Sequence, residues 1–328
     1  MTDMHRRTLL KGALTAPLLH ACGAEPAPWP REAYRREERS RVAIVPAREY
    51  GPRLAEVLRS GLALFDLPVH GKTIVLKPNF VEYDAGGIVN THPSVIAAAI
   101  DAFRRLGARR VTVAEGPGHD RDVEHILTAS GLHDVLREYR ARYVDLNYDD
   151  TRRLALRSRY TSLGALHLPG TILDADLLVS MPKLKTHHWA GVTLSMKNFF
   201  GVVPGAVYGW PKNALHWAGI HESILDINST LPVKTFAIID GVVGMEGNGP
   251  IQGDAKPCGV LVLSDDVVAA DATAARLMGI DPGRVTYIEQ AGRFLGNIAE
   301  ERIVQMADPI ETHRTSFRLL PPFARLRA

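Results

Sequence analysis

The chain has 328 residues, 46% of them apolar and 23% charged, the balance of a globular fold and not of a disordered or fibrous one. Its formal charge of +3 falls to +1 without residues 1–21, which carry Arg6, Arg7 and Lys11 against Asp3, and a near-neutral body gives no basis for nucleic-acid binding. The only cysteines, Cys22 and Cys258, form no Cys-x-x-Cys pair, so neither an iron–sulfur cluster nor a zinc knuckle can be built within this chain alone.

Residues 1–22 open with Arg6-Arg7 ahead of a short apolar stretch, Ala13 to Leu19, which resembles a twin-arginine export signal. Leu19-His20-Ala21-Cys22 resembles a lipobox, although His20 is an unusual occupant. The expectation is export to the periplasm with a lipid anchor on Cys22; simple cleavage nearby is the alternative. Residues 23–41 read as a linker, first Pro-rich and stiff, then charged.

The body, residues 42–305, alternates short apolar strands with helical periodicity. Strands are expected at 42–45, 74–76, 111–114, 143–146, 177–180, 236–239 and 259–263. Helices are expected from Leu54 to Leu62, from Pro93 to Gly107, over 123–140, after Trp189 through Val192, Met196 and Phe199, over 215–227, and after Asp265-Asp266, ending at Gly279. This order predicts a single α/β domain, a mainly parallel sheet covered by helices. Residues 306–328 form a C-terminal tail.

In such sheets ligands bind beyond the carboxyl ends of the strands, and polar residues gather there. They are Lys77 and Asn79; Glu115 and His119; Lys183, Lys185 and His187; Asp240 and Glu246; and Asp265 and Asp266. An extended Lys183-Leu184-Lys185-Thr186-His187 would put both lysines and His187 on one face, a site for an anion. The plainer reading is solvated lysines and a histidine that caps the next helix. His92, ahead of Pro93, sits at a helix start, where it is a ligand or merely a cap. The Gly/Pro-rich segment 201–216 is long enough for a binding loop and carries Lys212 and His216. Glycine-rich 116–118 and 244–250, the latter with Asn248, permit close backbone approach to an anion, with tight turns as the alternative. A metal set drawn from His92, His119, Asp120, His187, Asp240 and Glu246 has no regular ligand spacing, and no Gly-x-Ser-x-Gly elbow exists.

Lys77-Pro78-Asn79, Thr91-His92-Pro93, Met181 to His187, Leu194-Ser195-Met196-Lys197-Asn198, Asp240-Gly241 with Met245 to Pro250, and Asp271 with Met278-Gly279 resemble the bacterial and archaeal family called domain of unknown function 362, over about residues 42–300. The resemblance implies the fold and the site positions but no reaction. Some relatives carry ferredoxin-like modules, which implies redox partners for those members; this chain lacks the cysteines. The resulting expectation is an enzyme for a small carboxylate or phosphate. Lys77, Asn79, His92, Glu115, Lys183, Lys185, Lys197, Asn198, Lys212, His216 and Asn248 would bind it, with His187, Glu246 and Asp240 in acid–base roles. The alternatives are a non-catalytic binding lipoprotein, or a redox accessory subunit docking through Leu319–Phe323.

Overall fold

The structure, a computed structural model, describes residues 27–83 and 86–328; the leader and Cys22 lie outside them. Strands in chain order are β1 (Ser40–Pro46), β2 (Thr73–Pro78), β3 (Arg110–Glu115), β4 (Arg142–Asp145), β5 (Thr151–Ala155), β6 (Ala165–Pro169), β7 (Leu177–Met181), β8 (Lys183–His187), β9 (Gly191–Thr193), β10 (Lys234–Asn248), β11 (Gln252–Ser264) and β12 (Ile303–Ala307). Among the described residues, ten of them form one sheet in the order β12-β1-β11-β10-β7-β2-β3-β4, with β8 branching from β10 and carrying β9. Strands β5 and β6 form a separate hairpin.

Apolar runs are what a sheet covered on both faces requires, and successive residues feed opposite sides. Val42, Val75, Leu178 and Ala237 enter one core; Ala43, Ile74, Val179 and Phe236 enter the other. Helices Leu54–Leu62 and Pro93–Arg105 cover the second face; Ile220–Thr230 and Val267–Leu277 cover the first. Each end has a local cause. Pro93 occupies the first turn of its helix behind the His92 cap, and Asp266 accepts hydrogen bonds from the N–H groups of Val268 and Ala269 at the start of another.

Several elements differ from expectation. The helix expected over 123–140 breaks at Gly131, which adopts φ 77°, and that expected over 215–227 breaks at Gly219. No helix follows Trp189 directly. Gly191, at φ 82°, turns the chain so that β9 folds back on β8, and a four-residue helix, Ser195–Asn198, begins where Asp271 accepts hydrogen bonds from Ser195 N and Met196 N. Strand β10 does not stop at Asp240. It runs on to Asn248 and pairs antiparallel with β11, so Glu246 and Asn248 belong to a hairpin arm and not a loop. Because β11 runs against its neighbours, Asp265 and Asp266 lie at the opposite end of the sheet, beside Arg41 and Ser40. The tail packs down: Phe317 is fully buried and Arg318 O accepts from Gly247 N. Leu319 and Phe323 pack partly buried against the core. In the linker, Trp29 stacks on Phe294 at 4.5 Å between centroids. Among the described residues no helix is long and apolar enough to cross a membrane.

Candidate functional site

Beyond the carboxyl ends of β2 and β3, a cavity of about 290 Å3 opens against β8, β9 and the 197–216 segment. It collects ten of the residues singled out in the sequence: Lys77, Asn79, Glu115, His119, Lys185, His187, Lys197, Asn198, Lys212 and His216. Their counterparts Lys183, Asp240, His92, Glu246 and Asn248 do not line it.

The floor is an ion pair. Lys77 ends β2 and Glu115 ends β3, two parallel neighbours, and Lys77 Nζ lies 2.6 Å from Glu115 Oε1 with both side chains buried. Lys77 Nζ also donates to Pro78 O and Asn198 Oδ1. Glu115 accepts from Phe80 N and Gly116 N, so its oxygens are committed. Gly201 presses on this pair: a Cβ there would meet Glu115 Oε1 and would lie 2.6 Å from Lys77 Nζ. Only glycine lets the 201 backbone pass so close.

Around this floor stand three more lysines. Lys185 Nζ donates to Val89 O and Pro250 O. Lys212, held in a left-handed backbone (φ 67°), donates to Gly116 O at 2.8 Å and Gly201 O at 3.1 Å. Burial pulls its ammonium down to about 7. Lys197 is half-buried; its Nζ lies 5.5 Å from the Phe200 ring centre and makes no ion pair or hydrogen bond within the described residues. Burial, and then the charge of Lys77, lower it to about 8. Among the described lining residues the one carboxylate is Glu115, and it is already paired with Lys77.

The histidines present opposite edges. His187 Nδ1 accepts from Trp189 N and Ala190 N at 3.0 and 3.1 Å, so its proton sits on Nε2. Burial and the nearby Lys197 charge hold the ring well below 6.5, and it stays neutral. His216 is the reverse. Nδ1 faces Lys212 O at 3.2 Å, so Nδ1 carries the proton and Nε2 is an acceptor. Burial lowers this ring as well. Trp189 crosses the mouth, its ring 5.5 Å from that of His216.

Two buried polar atoms on lining residues lack hydrogen-bond partners among the described residues, Asn79 Oδ1 and Thr193 Oγ1. Buried groups are normally satisfied, so each has bonding capacity left for a ligand. Thr193 is hidden in the sequence because the residues after Trp189 have helical spacing, whereas they form β9. The one signal was polar Thr193 between apolar Val192 and Leu194.

Lys183 parts from Lys185 because the β8–β10 register shifts between Asp240 and Met245, opposite the two lysines. Alternation along one strand therefore fails. Lys183 Nζ donates to Asp240 Oδ2 and to Tyr50 Oη, both at 2.8 Å. Tyr50 Oη donates to Asp240 Oδ1, and His92 N to Oδ2. The His92 ring lies against Tyr50 and accepts from Ser94 N, a capping role. Asp240 is fully buried in this closed network, out of reach of the cavity. Glu246 accepts from Arg318 N and pairs with Lys256; Asn248 bonds Gln252. Among the described residues no three His, Cys, Asp or Glu side chains gather as a metal-binding group.

A protein of Synechocystis sp. described as thylakoid-associated protein sll1697 is 27% identical over 244 residues, 74% of each chain. Among solved structures, the lactate racemase apoprotein of Thermoanaerobacterium thermosaccharolyticum aligns over 76% of this chain and 58% of its own, at 12% identity and a TM-score of 0.48. A Thermotoga maritima protein aligns over 68% and 58%, at 13% identity and a TM-score of 0.37. The chain thus spans somewhat more than half the length of these two. Residues 74–276, more than half of the chain and all of the cavity floor, match the family described as Domain of unknown function (DUF362), and the chain belongs to it.

Proposed function

We propose that the cavity binds a small anion, a carboxylate or phosphate, and acts on it by acid–base chemistry. The observation that carries this is the charge count: among the described residues, Lys77, Lys197 and Lys212 line a water-accessible space with Glu115 as the sole carboxylate, and Lys185 stands beside them. Unbalanced buried cations are costly, and a ligand that neutralises them is stabilising. His187 would donate from Nε2 to the anion, and His216 would take a proton at its own Nε2. The Thr193 hydroxyl supplies a further donor to the anion. Asp240 and Glu246, committed to partners elsewhere, have no part in the step.

The test is thermal unfolding and calorimetric titration with inorganic phosphate, succinate and citrate. Wild type should be stabilised by at least one, by about 2.7 kcal/mol at a hundredfold excess over Kd, and Lys197→Met and Lys185→Met should lose most of that shift. Stabilisation by none of them, or variants that respond like wild type, would end the reading. Activity distinguishes an enzyme from a non-catalytic binding protein: His216→Asn should leave anion binding intact and abolish turnover in the former.

We also propose that Arg6-Arg7 direct export to the periplasm and that Cys22 carries a lipid anchor, on the strength of the leader's sequence. Arg6→Lys with Arg7→Lys should leave precursor in the cytoplasm, and Cys22→Ser should release the protein from membranes. The redox-partner alternative draws no support from Leu319–Phe323, since Leu319 and Phe323 pack against the core.

A further inference from the structure

We propose that Lys197 is a nucleophilic amine and that it holds its ligand as an imine, which makes the ligand an anion with an adjacent carbonyl group: a 2-oxo carboxylate or an aldehyde phosphate. This rests on the cavity being an anion site. Among the lysines that line it, Lys197 is placed differently. Lys77 is locked to Glu115, and Lys212 spends its N–H groups on the carbonyls of Gly116 and Gly201. Lys185 is tied to Val89 and Pro250. Among the described residues Lys197 makes no hydrogen bond or ion pair and its nitrogen lies over the face of Phe200, so no donor–acceptor geometry must be broken for it to swing onto a carbonyl carbon.

Its support is rigid. The short helix that carries it is pinned at its N-terminus by Asp271 and at its C-terminus by Asn198, which bonds Lys77 O and Ser180 Oγ through Nδ2. The groups that face Lys197 favour the neutral amine. Among the described residues these are Lys77, Lys212, His187, His216 and His221, all cationic or neutral, and Glu115, which is spent on Lys77. A lysine lowered by burial and a second cation is the usual activated amine, and at about 8 a usable fraction is unprotonated near neutral pH.

The step balances without a further reactant. The neutral amine adds to the carbonyl carbon, forming a C–N bond as the C=O π pair moves to oxygen. His216 Nε2 accepts a proton from nitrogen and returns it to that oxygen. The C–O bond then breaks, and the oxygen leaves as water with both former amine protons. The anionic group of the ligand would rest near Lys77 and Lys185, and Asn79 Oδ1 and Thr193 Oγ1 would meet the carbinolamine hydroxyl.

The experiment is reductive trapping. The protein is incubated with pyruvate, 2-oxoglutarate or glycolaldehyde phosphate, reduced with borohydride, and mapped by mass spectrometry. Succinate and glycerol phosphate, which lack the carbonyl, are run in parallel by thermal shift. We expect one adduct, of the ligand's mass less one oxygen, on Lys197, with a yield that climbs through about pH 8. It should vanish in Lys197→Arg and Lys197→Met and persist in Lys234→Arg, an exposed lysine outside the cavity, with thermal melts showing all three folded. The ligand that traps best assigns the carboxylate or the phosphate source. Label spread over exposed lysines, or none at all, while succinate or glycerol phosphate still stabilises the fold, overturns the imine and leaves the anion site standing. No adduct and no shift from any compound overturns both.

Discussion

Replacing Lys183 with methionine separates a structural lysine from a ligand-binding one. Lys183 and Asp240 are both fully buried, 2.8 Å apart. Methionine keeps most of the side-chain volume, so the loss is electrostatic. Removing one partner of a buried pair costs about 3–5 kcal/mol, because a charge stays behind uncompensated. Here Asp240 keeps three neutral donors, Tyr50 Oη, His92 N and Val242 N, which places the cost near the lower bound, about 3 kcal/mol. For a domain of this size about 2 °C accompanies each kcal/mol, so the midpoint should fall by about 6 °C, followed by circular dichroism. Anion binding, titrated below the transition, should be unchanged. A second change, Asp240→Asn, removes the stranded charge and should recover part of the loss, a non-additivity that a double-mutant cycle reads directly. A Lys183→Met protein that melts like wild type but no longer binds anions would refute the placement and return Lys183 to the ligand.

Further outcomes follow from other sites. Gly201→Ala should disrupt the Lys77–Glu115 floor and abolish ligand-induced stabilisation, checked by the same thermal-shift titration. His187, His216, His92 and His221 all titrate below their ordinary value because of burial. The unfolded chain therefore takes up protons first as the pH falls through about 6.5. Stability should be full above that pH and decline below it, by up to ~1.4 kcal/mol per pH unit for each histidine, with a shallower decline in His187→Gln; a denaturation series from pH 8 to 5 measures it. Binding of simple anions should weaken as the pH rises through about 8, where Lys197 loses its charge, and calorimetry on Lys197→Met should lack that alkaline limb. Phe317→Ala should cost about 3–5 kcal/mol by denaturant unfolding, since its ring is buried under the tail and against Gly244.

Much of the sheet was legible because strands buried on both faces must be apolar without interruption, and Ile74 to Leu76 or Leu177 to Val179 have no other reading. The residues just beyond them, Lys77, Asn79 and Glu115, were legible for the topological reason that parallel strands end together. What failed were features decided by tertiary pairing. The direction of β11 is invisible in its own sequence, yet it alone sends Asp265 and Asp266 to the far end. Glycines 244, 247 and 249 suggested a loop, whereas they admit close neighbours in a twisted arm: a Cβ on Gly244 would meet Leu184 O at 2.6 Å, and one on Gly247 would sit 2.8 Å from Arg318. Lys183 and Lys185 looked equivalent at a spacing of two, until an irregularity in the partner strand turned them apart.

The placement of Trp189 makes the molecule its own optical probe. Its indole is half-exposed at the cavity mouth, in edge contact with His188 and His216. A ligand entering past it would exchange water for an anion beside the ring and change both its emission wavelength and its access to iodide. The chain has four tryptophans. Trp217, at the end of the helix Asn213–Trp217 and open to solvent, and Trp210, next to the lining Pro211, would add signals of their own, and Trp29, stacked on Phe294, sits far along the chain in the N-terminal linker. A protein with Trp210→Phe and Trp217→Phe would report occupancy in a cuvette, with no substrate identified and no turnover required.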